Sequence, residues 1–188
     1  MYGTKFNISR IEFDCETYGP GRRIVIWFQG CTLRCKGCWN ESMWNNLPNL
    51  LAEREDVFKI ITNSRCDGVT FLGGEPLQQP GNLLWLMQNL KAQGTNIMLY
   101  TGYEGDEIST SEVFSEICGH ADILIAGRYI EEKRNIFLKW RGSENQKVLF
   151  KNGSQITEEC NQIEIHIDED GSITCLGYPS DDIEYIIG

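Results

Sequence analysis

Residues 24–40 read Ile24-Val25-Ile26-Trp27-Phe28-Gln29-Gly30-Cys31-Thr32-Leu33-Arg34-Cys35-Lys36-Gly37-Cys38-Trp39-Asn40. Five consecutive apolar residues, preceded by Gly19-Pro20-Gly21 and closed by Gly30, predict a buried strand from Ile24 to Phe28 whose C-terminal end opens into a cysteine-bearing loop. Downstream, Leu51 to Asn63 reads as a helix, with Val57, Ile60 and Ile61 on one side. Gly68 to Leu72 reads as a strand ended by Gly73-Gly74-Glu75-Pro76. Asn82 to Gln93 is a second helix stopping at Gly94, Asn96 to Tyr100 a strand, Ser111 to Cys118 a short helix and Ala121 to Ala126 a strand. Strands alternating with helices predict an α/β fold with a mostly parallel sheet, whose sites lie at the strand C-termini. The cysteines, Gly73 to Pro76, Thr101-Gly102-Tyr103 and Ala126-Gly127-Arg128-Tyr129 all fall there. A closed eightfold barrel takes roughly 250 residues, so 188 residues fit an open, partial barrel instead.

Beyond Gly127 the pattern loosens. Val148 to Phe150 is a short apolar strand, and Ile163 to Ile167 and Ile173 to Leu176 frame an expected hairpin turn at Asp168 to Ser172. The expectation is one domain over residues 1–188, with a small β-containing C-terminal extension at about 151–188.

A composition 41% hydrophobic with five prolines is that of a folded chain. Seventeen Lys+Arg against 27 Asp+Glu, a net charge of −10, argues against nucleic-acid binding through phosphate neutralisation. No apolar run reaches the roughly 20 residues of a membrane span, and the first residues lack the basic-then-apolar order of a signal peptide. A cytoplasmic location is expected, and in a reducing compartment eight cysteines point to metal ligation or free thiols rather than disulfides.

Cys31, Cys35 and Cys38 form C-x3-C-x2-C in a glycine-containing loop. A structural zinc site needs four ligands. A four-iron cluster held by three thiolates keeps one iron open, free to chelate a small molecule and pass it an electron. The alternatives are a zinc site completed by Cys15, Cys66 or His120, or three unrelated buried cysteines. Cys15, Cys66, Cys118, Cys160 and Cys175 otherwise read as small buried hydrophobes, and His120 and His166 carry no catalytic pattern.

The cysteine spacing together with Gly73-Gly74-Glu75-Pro76 resembles the radical S-adenosylmethionine (SAM) superfamily, which implies a partial, open TIM-like (β/α) barrel. Within it, Gly37-Cys38-Trp39-Asn40, Gly19-Pro20-Gly21 followed by arginine, Asp122 to Tyr129 and Arg141-Gly142-Ser143-Glu144-Asn145-Gln146-Lys147 are similar to the activating enzymes of anaerobic ribonucleotide reductase. Ala126 stands where those enzymes often carry an acidic residue, and Lys147 where arginine is frequent. The resemblance implies a [4Fe-4S] cluster on Cys31, Cys35 and Cys38. It implies SAM on the open iron, with its amino group met by Gly73, Gly74 and Glu75. Reductive cleavage of SAM would yield a radical that abstracts the Cα hydrogen of a glycine on the reductase. Gln29 and the backbone of residues 32–37 are expected around the cluster. Trp39 is expected near the cluster or adenine, with local packing as the plain alternative. Thr101, Tyr103 and Arg128 are candidates for the ribose or carboxylate of SAM, with a structural ion pair as the alternative for Arg128. Arg141, Asn145 and Gln146 form a polar loop that could contact a partner. A flavodoxin- or ferredoxin-type protein is the expected electron donor. A wide mouth at the strand ends is expected, to admit a partner's loop. Other readings are a radical SAM enzyme acting on another glycyl-radical enzyme, a peptide or a nucleoside-type substrate, and a metal-stabilised binding module without catalysis.

Overall fold

The protein is described by a computed structural model that covers residues 2–160, 162–167 and 169–180. Strand β1 (Lys5–Cys15) pairs antiparallel with β2 (Arg23–Phe28) on one side and β3 (Leu50–Glu53) on the other. Helix α1 (Arg54–Asn63) leads to β4 (Gly68–Gly73), α2 (Pro80–Ala92) to β5 (Asn96–Thr101), and α3 (Gly105–Thr110) with α4 (Glu112–His120) to β6 (Ile123–Ala126). β7 (Lys147–Phe150) closes a seven-stranded sheet of order β3-β1-β2-β4-β5-β6-β7, and β8 (Ile163–Ile167) and β9 (Ile173–Gly177) form a separate hairpin.

The sheet is open and mixed, not mostly parallel. β2, β4, β5 and β6 run parallel, while β1, β3 and β7 join antiparallel at the flanks. β1 escapes a simple alternation rule because the register slips between Ile8 and Arg10 and again between Glu12 and Cys15. Bulges of this kind break the period of two that marks a strand. Leu51 to Glu53, expected to open the first helix, belong with Leu50 to a strand paired with β1 instead. α2 ends as expected: Gly94, at φ 76°, lets its own N–H reach Lys91 O and that of Thr95 reach Leu90 O.

Alternation along the strands divides the interior into two. Ile24, Ile26, Phe28, Val69, Phe71, Ile97, Leu99 and Leu124 face Val57, Ile61, Leu83, Leu86, Met87, Leu90 and Ile117 of the helices. Val25, Trp27, Leu72, Met98, Tyr100, Ile123 and Ile125 point the other way, toward Tyr18, Met43, Trp140 and Leu176, which come from loops and the C-terminal hairpin. A helical layer on one face only, over an open sheet, is the arrangement of part of a barrel and not of a doubly wound sheet.

The N-terminal ends of the parallel strands are bolted by Arg23, which is fully buried. Its Nε donates to Thr70 Oγ1, Nη1 to Pro20 O and Asn96 Oδ1, and Nη2 to Val69 O and Asn96 O. All five guanidinium donors are thereby satisfied. A Cβ on Gly19 or Gly68 would come within 3 Å of this side chain, so the Gly-Pro-Gly turn and its arginine fit one another.

β8 and β9 pair as expected, Ile163 opposite Gly177 and Ile167 opposite Ile173. Asp168 of the expected turn and residues 181–188 of the expected extension lie outside the described residues. No helix among the described residues is long and apolar enough to cross a membrane.

Candidate functional site

At the end of β2 the chain turns at Gly30, where φ is 102° and a Cβ would lie 2.2 Å from Asn46 Oδ1. Two backbone bonds, Gly30 N to Met43 O and Cys31 N to Trp44 O, fasten the start of the loop to its return. Inside it, Cys38 N donates to Cys35 O and Asn40 N to Cys38 Sγ. Gln78 holds the outer side: its Oε1 accepts from Thr32 N at 3.1 Å, and its Nε2 donates to Thr32 Oγ1 at 2.7 Å and Tyr103 Oη at 3.2 Å. So folded, Cys31, Cys35 and Cys38 line a single cavity of about 130 Å³ together with Gly73, Gly74 and Glu75.

The glycines of this second motif serve packing as well as any ligand. A Cβ on Gly73 would lie 2.6 Å from Phe28 N, and one on Gly74 would lie 2.4 Å from Gly30 O. Gly74 N donates to Phe28 O and Glu75 N to Gly30 O, both at 2.8 Å, so the two motifs are joined main chain to main chain. Glu75 is buried. Its Oε1 accepts from Leu77 N and Thr101 Oγ1, and its Oε2 from Gly102 N. Burial pushes the carboxyl up to about 7, against the pull of those three bonds. A carboxylate has about four acceptor positions, so Glu75 keeps capacity toward the cavity, where a cationic group would favour its ionised form.

Among the described residues, the cavity also has donors without a hydrogen-bond partner. Tyr100 Oη and Trp44 Nε1 are buried and unpartnered, and both residues line the cysteine cavity. An unmet buried polar group costs about 1–3 kcal/mol, which a bound ligand bearing acceptors would relieve. Burial raises the thiols of Cys31 and Cys35 above the ordinary cysteine range, with Glu75 and Cys38, respectively, adding to it. Loading a metal centre must therefore displace protons from them. Three thiols in one cavity, an acidic group beside them and two unmet donors fit an iron–sulfur centre and a zwitterionic ligand. Reading the sequence missed Tyr100 and Trp44, because both look like ordinary apolar positions of a strand and a loop.

The other expected residues divide. Trp39 and Gln146 line the cavity. Thr101 also lines it, but its hydroxyl is engaged by Glu75 and by Tyr103 N, so it fixes the carboxylate. Arg128 takes the structural alternative. Its guanidinium pairs with both oxygens of Glu107 and donates to Gly102 O, and it holds the Glu107 carboxyl down at about 2. Tyr103 packs on Phe114 and is held by Gln78. Gln146 Oε1 accepts from Gly142 N and Ser143 N while its Nε2 donates to Gly127 O, and Asn145 donates to Arg128 O. That loop bolts the end of β6 to the start of β7. Arg141 pairs with Glu159. Gln29 turns away from the cysteines into a separate cavity of about 310 Å³ shared with Asn7 and Gln79, its amide donating to Asn45 O. Ala126 packs in the helix-side core. The cavity at the strand ends measures about 130 Å³, against the roughly 300–1,000 Å³ usual for small-molecule pockets. Tyr178, from beyond β9, stands in this one.

Among the described residues no set of three or more His, Cys, Asp or Glu side chains is gathered to hold a single metal ion. The zinc alternative also lacks its fourth ligand. Cys15 sits opposite Arg23 at the start of β2, Cys66 precedes β4 and His120 precedes β6. All three lie at the N-terminal end of the parallel strands, and the six residues of β2 alone span about 20 Å. Cys15 is instead bonded to Glu164.

Residues 17–149 match a family model described as a 4Fe-4S single cluster domain. The anaerobic ribonucleoside-triphosphate reductase-activating protein of Vibrio cholerae is 34% identical over 140 residues, covering 69% of this chain and 88% of that protein. The protein of the same name from Enterobacteria phage T4 is 32% identical over 154 residues, 76% of this chain and 92% of that one. Among solved structures, QueE from Escherichia coli overlaps 54% of this chain and 55% of its own at a TM-score of 0.47 and 22% identity. With three cysteines and a glycine-glycine-glutamate turn meeting in one cavity, and relatives at this identity over most of their length, the chain belongs to the radical SAM superfamily, among the anaerobic ribonucleoside-triphosphate reductase-activating proteins.

Proposed function

We propose that Cys31, Cys35 and Cys38 hold a [4Fe-4S] cluster, that SAM binds between it and Glu75, and that the enzyme makes a glycyl radical on an anaerobic ribonucleotide reductase. The observation that carries this is the meeting, in one cavity, of the three thiols with a buried carboxylate that makes no salt bridge among the described residues. The chemistry such a cluster supplies when bound is one electron to the sulfonium of SAM, leaving methionine and a carbon radical able to take the glycine Cα hydrogen. The chain's own part is to bind and orient. Glu75, fixed by Thr101 Oγ1, Gly102 N and Leu77 N, accepts from the methionyl ammonium. Tyr100 Oη and Trp44 Nε1 donate to acceptors of the ligand. Trp39 and Tyr178 keep water from the Cys38 side. The reading takes residues 1–188 as one radical SAM domain, with a β-containing extension at about 151–188 and a flavodoxin- or ferredoxin-type electron donor.

The test is anaerobic reconstitution with iron and sulfide, followed by SAM, reductant and the reductase. Expected are about four irons per chain, methionine release and a glycyl-radical doublet by paramagnetic resonance. Methionine release without the doublet would move the substrate to another target, and an iron-free protein that holds one zinc would overturn the reading.

A further inference from the structure

The family match ends at residue 149, yet the chain beyond it returns to the site. The C-terminal hairpin is fastened at two places. At the strand N-terminal end, Glu164 of β8 accepts from Cys15 Sγ at 2.7 Å, Thr17 Oγ1 at 2.6 Å, and Glu16 N and Thr17 N at 3.2 Å. On the inner face of the sheet, Leu176 is fully buried and Gly177 N donates to Tyr18 Oη at 2.8 Å. Gly177 has φ 97°, and a Cβ there would lie 2.4 Å from Gln162 O, so its turn admits only glycine.

That turn delivers Tyr178 into the cysteine cavity. Its ring meets Trp39 edge to face, with centroids 5.9 Å apart and planes at 89°. On its other side Gly142 leaves no room for a Cβ, which would lie 2.9 Å from Tyr178 Cε1. Arg134 stacks on Trp39 at 5.2 Å and reaches Pro179 O at 3.4 Å. Trp39, the residue after Cys38, is thus held from the far end of the chain.

We infer that this extension is a working wall of the active site, with Tyr178 the positioning residue that keeps Trp39 over the Cys38 edge and limits access there. The inference rests on the cysteine reading for its function, and on packing alone for its geometry.

The test compares the full-length chain with Tyr178→Ala, Tyr178→Phe and Glu164→Gln. In the metal-free proteins, alkylation of Cys38 by iodoacetamide is followed by peptide mass mapping, with Cys118 in the same sample as reference. The expected result is an increase of about fivefold in the Cys38 rate for Tyr178→Ala, the scale of one aromatic pair. Tyr178→Phe, which keeps the ring, gives a smaller rise than Tyr178→Ala, and so does Glu164→Gln. In the reconstituted proteins, loss of cluster absorbance to a chelator follows the same order. If Tyr178→Ala fails to fold, Glu164→Gln decides alone. An unchanged ratio of Cys38 to Cys118 in the folded variants overturns the inference. A wild-type chain that takes up no iron instead sinks the cysteine reading and leaves the alkylation result standing.

Discussion

Each end of the parallel strands buries one ionisable side chain that makes no salt bridge among the described residues, Arg23 at one end and Glu75 at the other, and they are treated in opposite ways. Arg23, at the N-terminal end, spends all five donors on neutral oxygens in a place with no opening. Burial lowers it only to about 10, and it stays charged. Glu75, at the C-terminal end, is held by three donors and still faces a cavity, with its proton balanced near neutrality and the unmet donors of Tyr100 and Trp44 close by. A saturated buried charge works as a fastener. An unsaturated one is the feature on which the proposed ligand site rests.

The strongest way to break this contrast is Arg23→Ala. It strands five acceptors and opens a cavity, so the metal-free chain should lose about 3–5 kcal/mol in urea unfolding, with iron content per folded molecule unchanged. Glu75→Gln should do the reverse. Relief of the buried charge is offset by an amide N–H facing Gly102 N, so stability should change by less than about 1 kcal/mol. SAM affinity in equilibrium dialysis should fall about 100-fold, the scale of a charge-assisted bond.

The pH dependence sharpens the same point. Glu75 has a folded pKa of about 7, above its ordinary value of 4.5. Its protonated form is therefore favoured by folding, and the metal-free chain loses stability as pH rises through that window. A cationic ligand prefers the ionised form, so binding should weaken about tenfold from pH 8 to pH 6. The Glu75→Gln variant should show a flat profile in the same titration. The smallest effect is expected of Tyr100→Phe, which deletes only the unmet hydroxyl: metal-free stability rises by up to about 1 kcal/mol while SAM binds about fivefold more weakly.

The parallel half of the sheet was legible because Ile24 to Phe28, Gly68 to Leu72 and Ala121 to Ala126 are short, mainly apolar segments with a glycine one or two residues beyond. The antiparallel flank was not, because β1 carries two register slips and β3 is only four residues long. In the site, Cys31, Cys35 and Cys38 stood out by their spacing and Gly73-Gly74-Glu75 by the family resemblance, and the structure brings all six to one cavity. Arg128 misled because an arginine at a strand end looks the same whether it meets a ligand or, as here, Glu107. Tyr178 is a matter of long-range packing: nothing near residue 178 in sequence says that it will meet residue 39.

The two backbone bonds that join Phe28 and Gly30 to Gly74 and Glu75 have a consequence for assembly. They close a loop of more than forty residues, and such a closure costs configurational entropy that grows with the logarithm of its length. Here sheet formation meets that cost before any cofactor arrives. Both halves of the site are spaced by main-chain bonds made before any ligand arrives, so the proposed ligand would find its two attachment points already at their working separation.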